Sequence, residues 1–158
     1  MSNVRPQGVT VVRKQPKQKT RDGMDRLGRT PLHYACASGR SEDVAQLLAS
    51  GSDVNTQDDS GWSPLHFAAQ AASPDCLALL LRAGANVSLQ DSFGNTALWR
   101  AVFSSTGDGT AIVLLRNAGA DPLAKNEHGV SPLSLARTIG NYDVATFFAD
   151  LPPSADVA

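Results

Sequence analysis

Two cysteines, Cys36 and Cys76, and three histidines, His33, His66 and His128, are this chain's stock of soft metal ligands and neutral-pH proton carriers. The cysteines lie 40 residues apart and no Cys-x-x-Cys pair exists. That spacing argues against a structural metal site and against a disulfide-stapled secreted scaffold. No Gly-rich phosphate loop with a following Lys-Ser/Thr is present, and no His-Glu-x-x-His or Gly-x-Ser-x-Gly motif. Gly39-Arg40-Ser41 comes near the last of these, but Ser41 falls at a helix boundary that recurs along the chain. Asp25, Asp58 and Asp91 recur once per period in turns, so they read as capping groups rather than as an acid–base pair. The expectation is a non-catalytic protein with no metal and no cofactor.

The elements that carry these residues repeat. Thr30-Pro31-Leu32-His33, Ser63-Pro64-Leu65-His66, Thr96-Ala97-Leu98-Trp99 and Ser131-Pro132-Leu133-Ser134 start 33, 33 and 35 residues apart. Each follows a glycine by two residues (Gly28, Gly61, Gly94, Gly129) and Asp25, Asp58, Asp91 or Asn126 by five. The Asp-x-x-Gly stretch reads as a tight turn, in which glycine permits positive φ and the carboxylate bonds nearby backbone. Thr or Ser then caps a helix, and Pro takes the first helical position, where its missing N–H costs nothing. Leu32, Leu65, Leu98 and Leu133, with the alanines after them, form an apolar stripe on a short helix that Gly39 and Gly140 should end. Second helices are expected over Asp43–Ala49, Asp75–Arg82, Ala111–Asn117 and Tyr142–Leu151. Their core positions are Val44, Leu47, Leu48, Leu77, Leu80, Leu81, Ile112, Leu114, Leu115, Val144, Phe147 and Phe148. Gly51, Gly84 and Gly119 close the first three.

A period near 33 carrying Thr-Pro-Leu-His and, downstream, Gly51-Ser52-Asp53-Val54-Asn55 resembles the ankyrin-repeat family over residues 25–151. The resemblance implies an all-α fold, an ankyrin-repeat α-solenoid of stacked helix-turn-helix units with projecting β-hairpin loops. One unit cannot bury its apolar face alone, whereas a stack buries a continuous core. The repeats are 25–57, 58–90, 91–125 and 126–151, followed by a C-terminal tail, 152–158. The third is two residues longer, within Ser104-Ser105-Thr106-Gly107-Asp108-Gly109. The fourth ends at Pro152-Pro153 and reads as a cap whose outer face Asn141, Thr146 and Asp150 would make polar. The resemblance also implies that His33 and His66 are structural. Trp99, in the same position, is either core or open to the groove. Cys36 and Cys76 are expected to be buried small hydrophobes.

Hydrophobic residues make up 42% of the 158 and charged residues 18%, which fits a folded chain rather than a disordered one. The net charge of −1 hides an asymmetry: residues 1–24 sum to +5 and residues 25–158 to −6. The arm 1–24 is expected to be solvated and mobile, with Gly8-Val9-Thr10-Val11-Val12 as its one strand-like stretch. Its first residues lack the apolar run of a secretory leader, and no stretch is long enough to span a membrane. A cytoplasmic monomer is expected.

The family architecture implies that a partner would sit in a concave groove lined by turn tips and first helices. On that mapping the binding residues are Arg29, Tyr34, Asp59, Trp62, Phe67, Gln70, Phe93, Asn95, Trp99, Arg100, Phe103 and His128. Trp62 and Phe93 fall at tips and have no core role to explain them. The acidic body favours a basic protein and disfavours nucleic acid. Within that class, Phe93-Gly94-Asn95-Thr96-Ala97-Leu98-Trp99-Arg100-Ala101-Val102-Phe103 with Ile139-Gly140-Asn141-Tyr142-Asp143-Val144 resembles ankyrin proteins that accompany secreted bacterial toxins. That resemblance implies an immunity protein inhibiting a cognate toxin domain. The other readings are a generic adaptor or scaffold, and a nucleic-acid-associated regulator that uses the basic arm.

Overall fold

The computed structural model describes residues 23–140 and 142–156; residues 1–22 of the arm 1–24, with its strand-like stretch, Asn141 and residues 157–158 of the tail lie outside the described residues. Among the described residues, seven α-helices and one 3-10 helix follow in order: α1 Pro31–Ala37, α2 Ser41–Ala49, α3 Pro64–Gln70, α4 Pro74–Arg82, α5 Ala97–Ser104, α6 Thr110–Asn117, α7 Pro132–Thr138 and η1 Val144–Phe148. They pack as two layers. The inner layer runs α1, α3, α5, α7, and the outer layer runs α2, α4, α6 alongside it, with η1 against α7. No strand occurs among the described residues.

The first helices start where the sequence places them. Thr30, Ser63, Thr96 and Ser131 hold extended backbone at the N-cap, and Pro31, Pro64 and Pro132 follow. Ser63 and Ser131 close capping boxes with His66 and Ser134. At the ends of the second helices, Gly51 N–H donates to Leu48 O and Ser52 N–H to Leu47 O, the paired bonds of a left-handed stop. α1 ends at Gly39 in the same way, but α3 ends at Ala72 with φ +50.

Leucines at matching positions fill the space between layers. Leu32, Leu65, Leu98 and Leu133 from the inner helices meet Val44, Leu77, Leu80, Ile112 and Leu115 from the outer ones, all buried. The alanines between them let the layers approach closely. Leu47, Leu48, Leu81, Leu114 and Phe147 are partly buried against the same core. Cys36 and Cys76 are free thiols within it, and burial, then Cys76, push the Cys36 thiol up to about 12.

Two expectations need correction. The loops between units are tight turns, each closed by two backbone bonds such as Asp58 N–H to Trp62 O at 2.8 Å and Gly61 N–H to Asp58 O at 2.9 Å, and among the described residues no strand extends them. The last second helix spans only Val144–Phe148 and is 3-10, where Tyr142–Leu151 was expected. The reason lies in the longer third unit. Gly109 sits directly under the Phe147 ring, where any Cβ would overlap it. Arg116 donates to Phe147 O and to both oxygens of Asp150, and its guanidinium lies 5.2 Å from the Phe148 ring. These ties fix a compressed turn rather than a full helix. Residues 152–156 then fold back: Arg137 bonds the Pro152 and Pro153 carbonyls, and Ser131 Oγ bonds Asp156. Thr146 and Asp150 are exposed, as expected of a polar end face.

Gly109→Ala is therefore expected to destabilise the protein by about 1–3 kcal/mol, the usual cost of overpacking. Urea unfolding of G109A, F147A and the double variant checks this. The G109A loss should shrink in the F147A background, and an unchanged loss would show that the ring is not the obstacle.

Candidate functional site

Each turn is organised by one side-chain oxygen, a carboxylate in the first three and the Asn126 amide in the fourth. Asp58 Oδ1 accepts from Ser60 N–H at 3.0 Å and from Trp62 N–H at 2.8 Å. Asp25, Asp91 and Asn126 repeat this with the residues two and four positions on. The turn then bonds its predecessor: Asp59 N–H to Leu27 O, Ser92 N–H to Ser60 O and Glu127 N–H to Phe93 O, at 2.8–3.0 Å. Gly61 shows how close this approach is. Its φ is +78, and a Cβ there would lie 2.9 Å from Asp91 Cα.

The buried histidines tie unit to unit. His33 Nδ1 accepts from Thr30 N–H at 2.9 Å while Nε2 bonds Trp62 O at 3.0 Å. His66 does the same between Ser63 N–H and Asn95 O, at 3.1 and 2.9 Å. A ring that accepts at one nitrogen and donates at the other is neutral. Burial pushes both imidazoles below their ordinary value, even though the carbonyl bonds favour the charged form. The structural reading of His33 and His66 follows from this geometry.

The second oxygens of the turn aspartates reach into the inner helices. There they hold a stack of planar groups that crosses three units. Tyr34 comes first, its hydroxyl bonded to Asp25. Arg29 lies between the Tyr34 and Phe67 rings, 5.9 and 5.1 Å from their centroids, and its Nε donates to Asp58 at 3.1 Å. Phe67 meets Trp62 at 4.8 Å. Arg100 lies between the Trp62 and Trp99 rings at 4.1 and 5.4 Å and is paired with Asp91. Trp99 and Phe103 stack at 5.3 Å with only 13° between their planes. Guanidinium over an aromatic face is attractive, and more so when water is excluded. Burial opposes ionisation of Asp91, yet Arg100 and the N–H groups of Asn95 and Phe93 hold its carboxyl below the ordinary value.

Seven of the twelve expected binding residues thus form one assembly: Arg29, Tyr34, Trp62, Phe67, Trp99, Arg100 and Phe103. Two expectations fail here. Trp62 is half-buried in the stack and has a packing role, so it is not a bare tip residue. Asn95 is only 5% exposed; its Nδ2 donates to Asp91 and its Oδ1 accepts from Asn126, so it joins two turns. Phe93 stands at its tip 54% exposed, its carbonyl accepting from Glu127 N–H of the next turn, and Asp59, Gln70 and His128 are also exposed. Trp99 is half-buried and belongs both to the groove wall and to the packing beneath it; its indole N–H is buried without a hydrogen-bond partner.

Asp58 and Asp91 were read from sequence as turn residues only, and their grip on Arg29 and Arg100 was missed. The signal lies in two columns of the repeat, Tyr34/Phe67/Arg100 and Arg29/Trp62/Asn95, whose rings and guanidinium groups alternate when the units are stacked. Among the described residues, no group of three or more His, Cys, Asp or Glu is placed to hold a metal, and no helix is long and apolar enough to cross a membrane.

Compared with known families, the chain matches the model for ankyrin repeats (3 copies) over residues 10–58 and 42–126. A search of curated proteins gives no match.

Proposed function

Since the chain belongs to the ankyrin-repeat family, whose repeats generally mediate protein–protein interaction, we propose that it binds a partner protein through the face formed by its turn tips and inner helices. The observation that carries this reading is where the exposed apolar side chains lie. Of the seven large apolar side chains exposed among the described residues, four, Leu27, Tyr34, Phe93 and Phe103, stand on the tips or inner helices and include the two most exposed, Phe93 and Phe103, while Val113, Leu123 and Tyr142 are scattered elsewhere. Exposed aromatics over a fixed base are what binding hot spots use. The half-buried middle of the stack, Arg29, Trp62, Phe67, Trp99 and Arg100, keeps this base rigid before contact, which lowers the ordering cost of association. No step in this function needs chemistry from the chain itself; occupying the partner's surface is sufficient.

The finer reading is an immunity protein that neutralises a basic toxin domain in the cytoplasm. It is supported by the charge of −6 on residues 25–158, which steers a basic partner, and by the resemblance of the segments around Trp99 and Tyr142 to toxin-associated ankyrin proteins. The test is capture from lysate of the source organism by wild type and by a Phe93→Ala/Phe103→Ala variant. Both rings are exposed, so the variant should melt within about 2 °C of wild type, in keeping with the small effect of surface substitutions. The expected result is one basic protein retained only by wild type and silenced when the two are co-expressed. Equal capture by the variant would remove the binding face from these rings, and capture of a protein with no toxic activity would remove the immunity reading alone.

A further inference from the structure

Two columns of the repeat lose their cover in the first unit. Pro31 is exposed, whereas Pro64, Ala97 and Pro132 at the same position are buried. Leu47 is partly exposed, whereas Leu80 and Leu115 are fully buried. The later helices pack against the unit before them, α3 on α1 and α4 on α2; among the described residues α1 and α2 have no such unit. Two cavities mark the bare edge. One, of about 320 Å³, lies beside Pro31, Ala35 and Leu47. The other, of about 470 Å³, runs from Pro31 past Tyr34 to Met24 and Gly23. Pro31 and Arg40 line both, so the two form one groove. The opposite end of the array is covered by residues 152–156, which Arg137 and Ser131 hold against α7.

A cover for this groove is written in the chain's own arm. Gly23, the first described residue, is at the rim. Within residues 1–22, Val11 and Val12 are the only adjacent apolar pair. Val11 stands 33 residues before Val44, in a column that continues with Leu77 and Ile112, and those three are fully buried. The match to ankyrin repeats begins at residue 10, 15 residues ahead of Asp25, so the family pattern already takes in this pair. Lys14 and Gln15 then stand where Leu47 and Leu48 do in the first unit, so the arm offers a short apolar strip rather than another unit.

We propose that Val11 and Val12 lie in the groove beside Pro31 and Leu47 and close the open edge of the array. Reach is ample. The eleven residues from Val12 to Gly23 extend to about 36 Å, whereas α2 is nine residues and about 14 Å long. A tether of that length holds the strip at roughly millimolar effective concentration, so a weak apolar contact suffices. Charge does not oppose it, since the two arginines at the rim are paired, Arg29 with Asp58 and Arg40 with Asp43. The contact removes from water the apolar surface that a terminal unit otherwise leaves bare. Neither Phe93 nor Phe103 lines the groove, so this contact is independent of the partner-binding reading.

Amide exchange of the full chain reads the cover. In Val11→Asp/Val12→Asp, the α2 amides of Val44, Leu47 and Leu48 should exchange about tenfold faster than in wild type, the increment of roughly one buried valine. The α5 amides should be unchanged, which shows that the array stays folded. A nitroxide on the thiol introduced by Arg13→Cys locates the strip, because Cys36 and Cys76 are buried away from the labelling reagent. The label should broaden the Leu47 and Ser50 amides, and V11D/V12D should restore them. Unchanged α2 exchange, or broadening that survives V11D/V12D, would overturn the proposal. Broadening of unlabelled chains mixed with labelled ones would overturn it too, by assigning the groove to the arm of a second copy.

Discussion

Replacing Leu98 with alanine should cost about 2–5 kcal/mol of stability, the range for removing three heavy atoms from a closed core. Leu98 is fully buried in α5. That helix packs against α3 on one side, α7 on the other and α6 behind it. In a stacked array stability is close to a sum of unit and nearest-neighbour contributions. A cavity at Leu98 weakens both neighbour interfaces of the third unit at once. Urea unfolding read by circular dichroism gives the number. A loss below about 0.5 kcal/mol would mean that the site collapses freely and that α5 is not the middle of the stack.

Acid should unfold this protein well before its carboxylates are protonated. His33 and His66 are buried, and both imidazoles titrate below the ordinary 6.5 in the folded chain. In the unfolded chain they take up protons near that value. Between the two, the unfolded state holds more protons, so stability rises with pH. The contribution is complete above about pH 6.5 and is lost as pH falls below it, with a slope of up to about 1.4 kcal/mol per pH unit for each ring. The two together reach about 2.7 kcal/mol per unit. The turn carboxylates Asp25 and Asp91 lie below their ordinary 3.8 and add their own loss at lower pH, so the windows separate. Stability measured by urea titration from pH 7.5 to 4.5 should bend downward near pH 6.5, and the bend should be halved in His66→Gln. A flat profile down to pH 4.5 would show that the rings charge without leaving their bonds.

The framework of the fold was legible because its signals are local. Thr30, Ser63, Thr96 and Ser131 must cap, the prolines after them must begin a helix, and Gly28, Gly61, Gly94 and Gly129 must turn; none of this depends on a distant partner. The period of 33 then states which copies stack. What failed depended on distance. The shortening of the last helix to Val144–Phe148 follows from Gly109 and Arg116, some 30 residues earlier, and no capping signal near Tyr142 reveals it. Asn95 at a tip position reads as exposed until its amide is seen joining Asp91 to Asn126. Trp62 looked like a bare anchor because its packing partners, Phe67 and Arg100, both belong to the other column, the first in the same unit and the second in the next. Such residues are read correctly only when the copies are laid side by side and each is matched with its neighbours.

The ties described above run from each unit chiefly to the next: turn carbonyls one step along, histidines one step along, and inner helices in order. Amide hydrogen exchange should therefore be graded along the chain. The units at either edge have a single neighbour and open on their own, whereas α3 and α5 can open only when a flank has already let go. The slowest-exchanging amides should sit in α3, where His66 and the Arg29–Phe67 contact add to the helix packing. Phe103 stands on α5, inside that protected pair, so the surface that meets a partner is held firm while the units at either edge open.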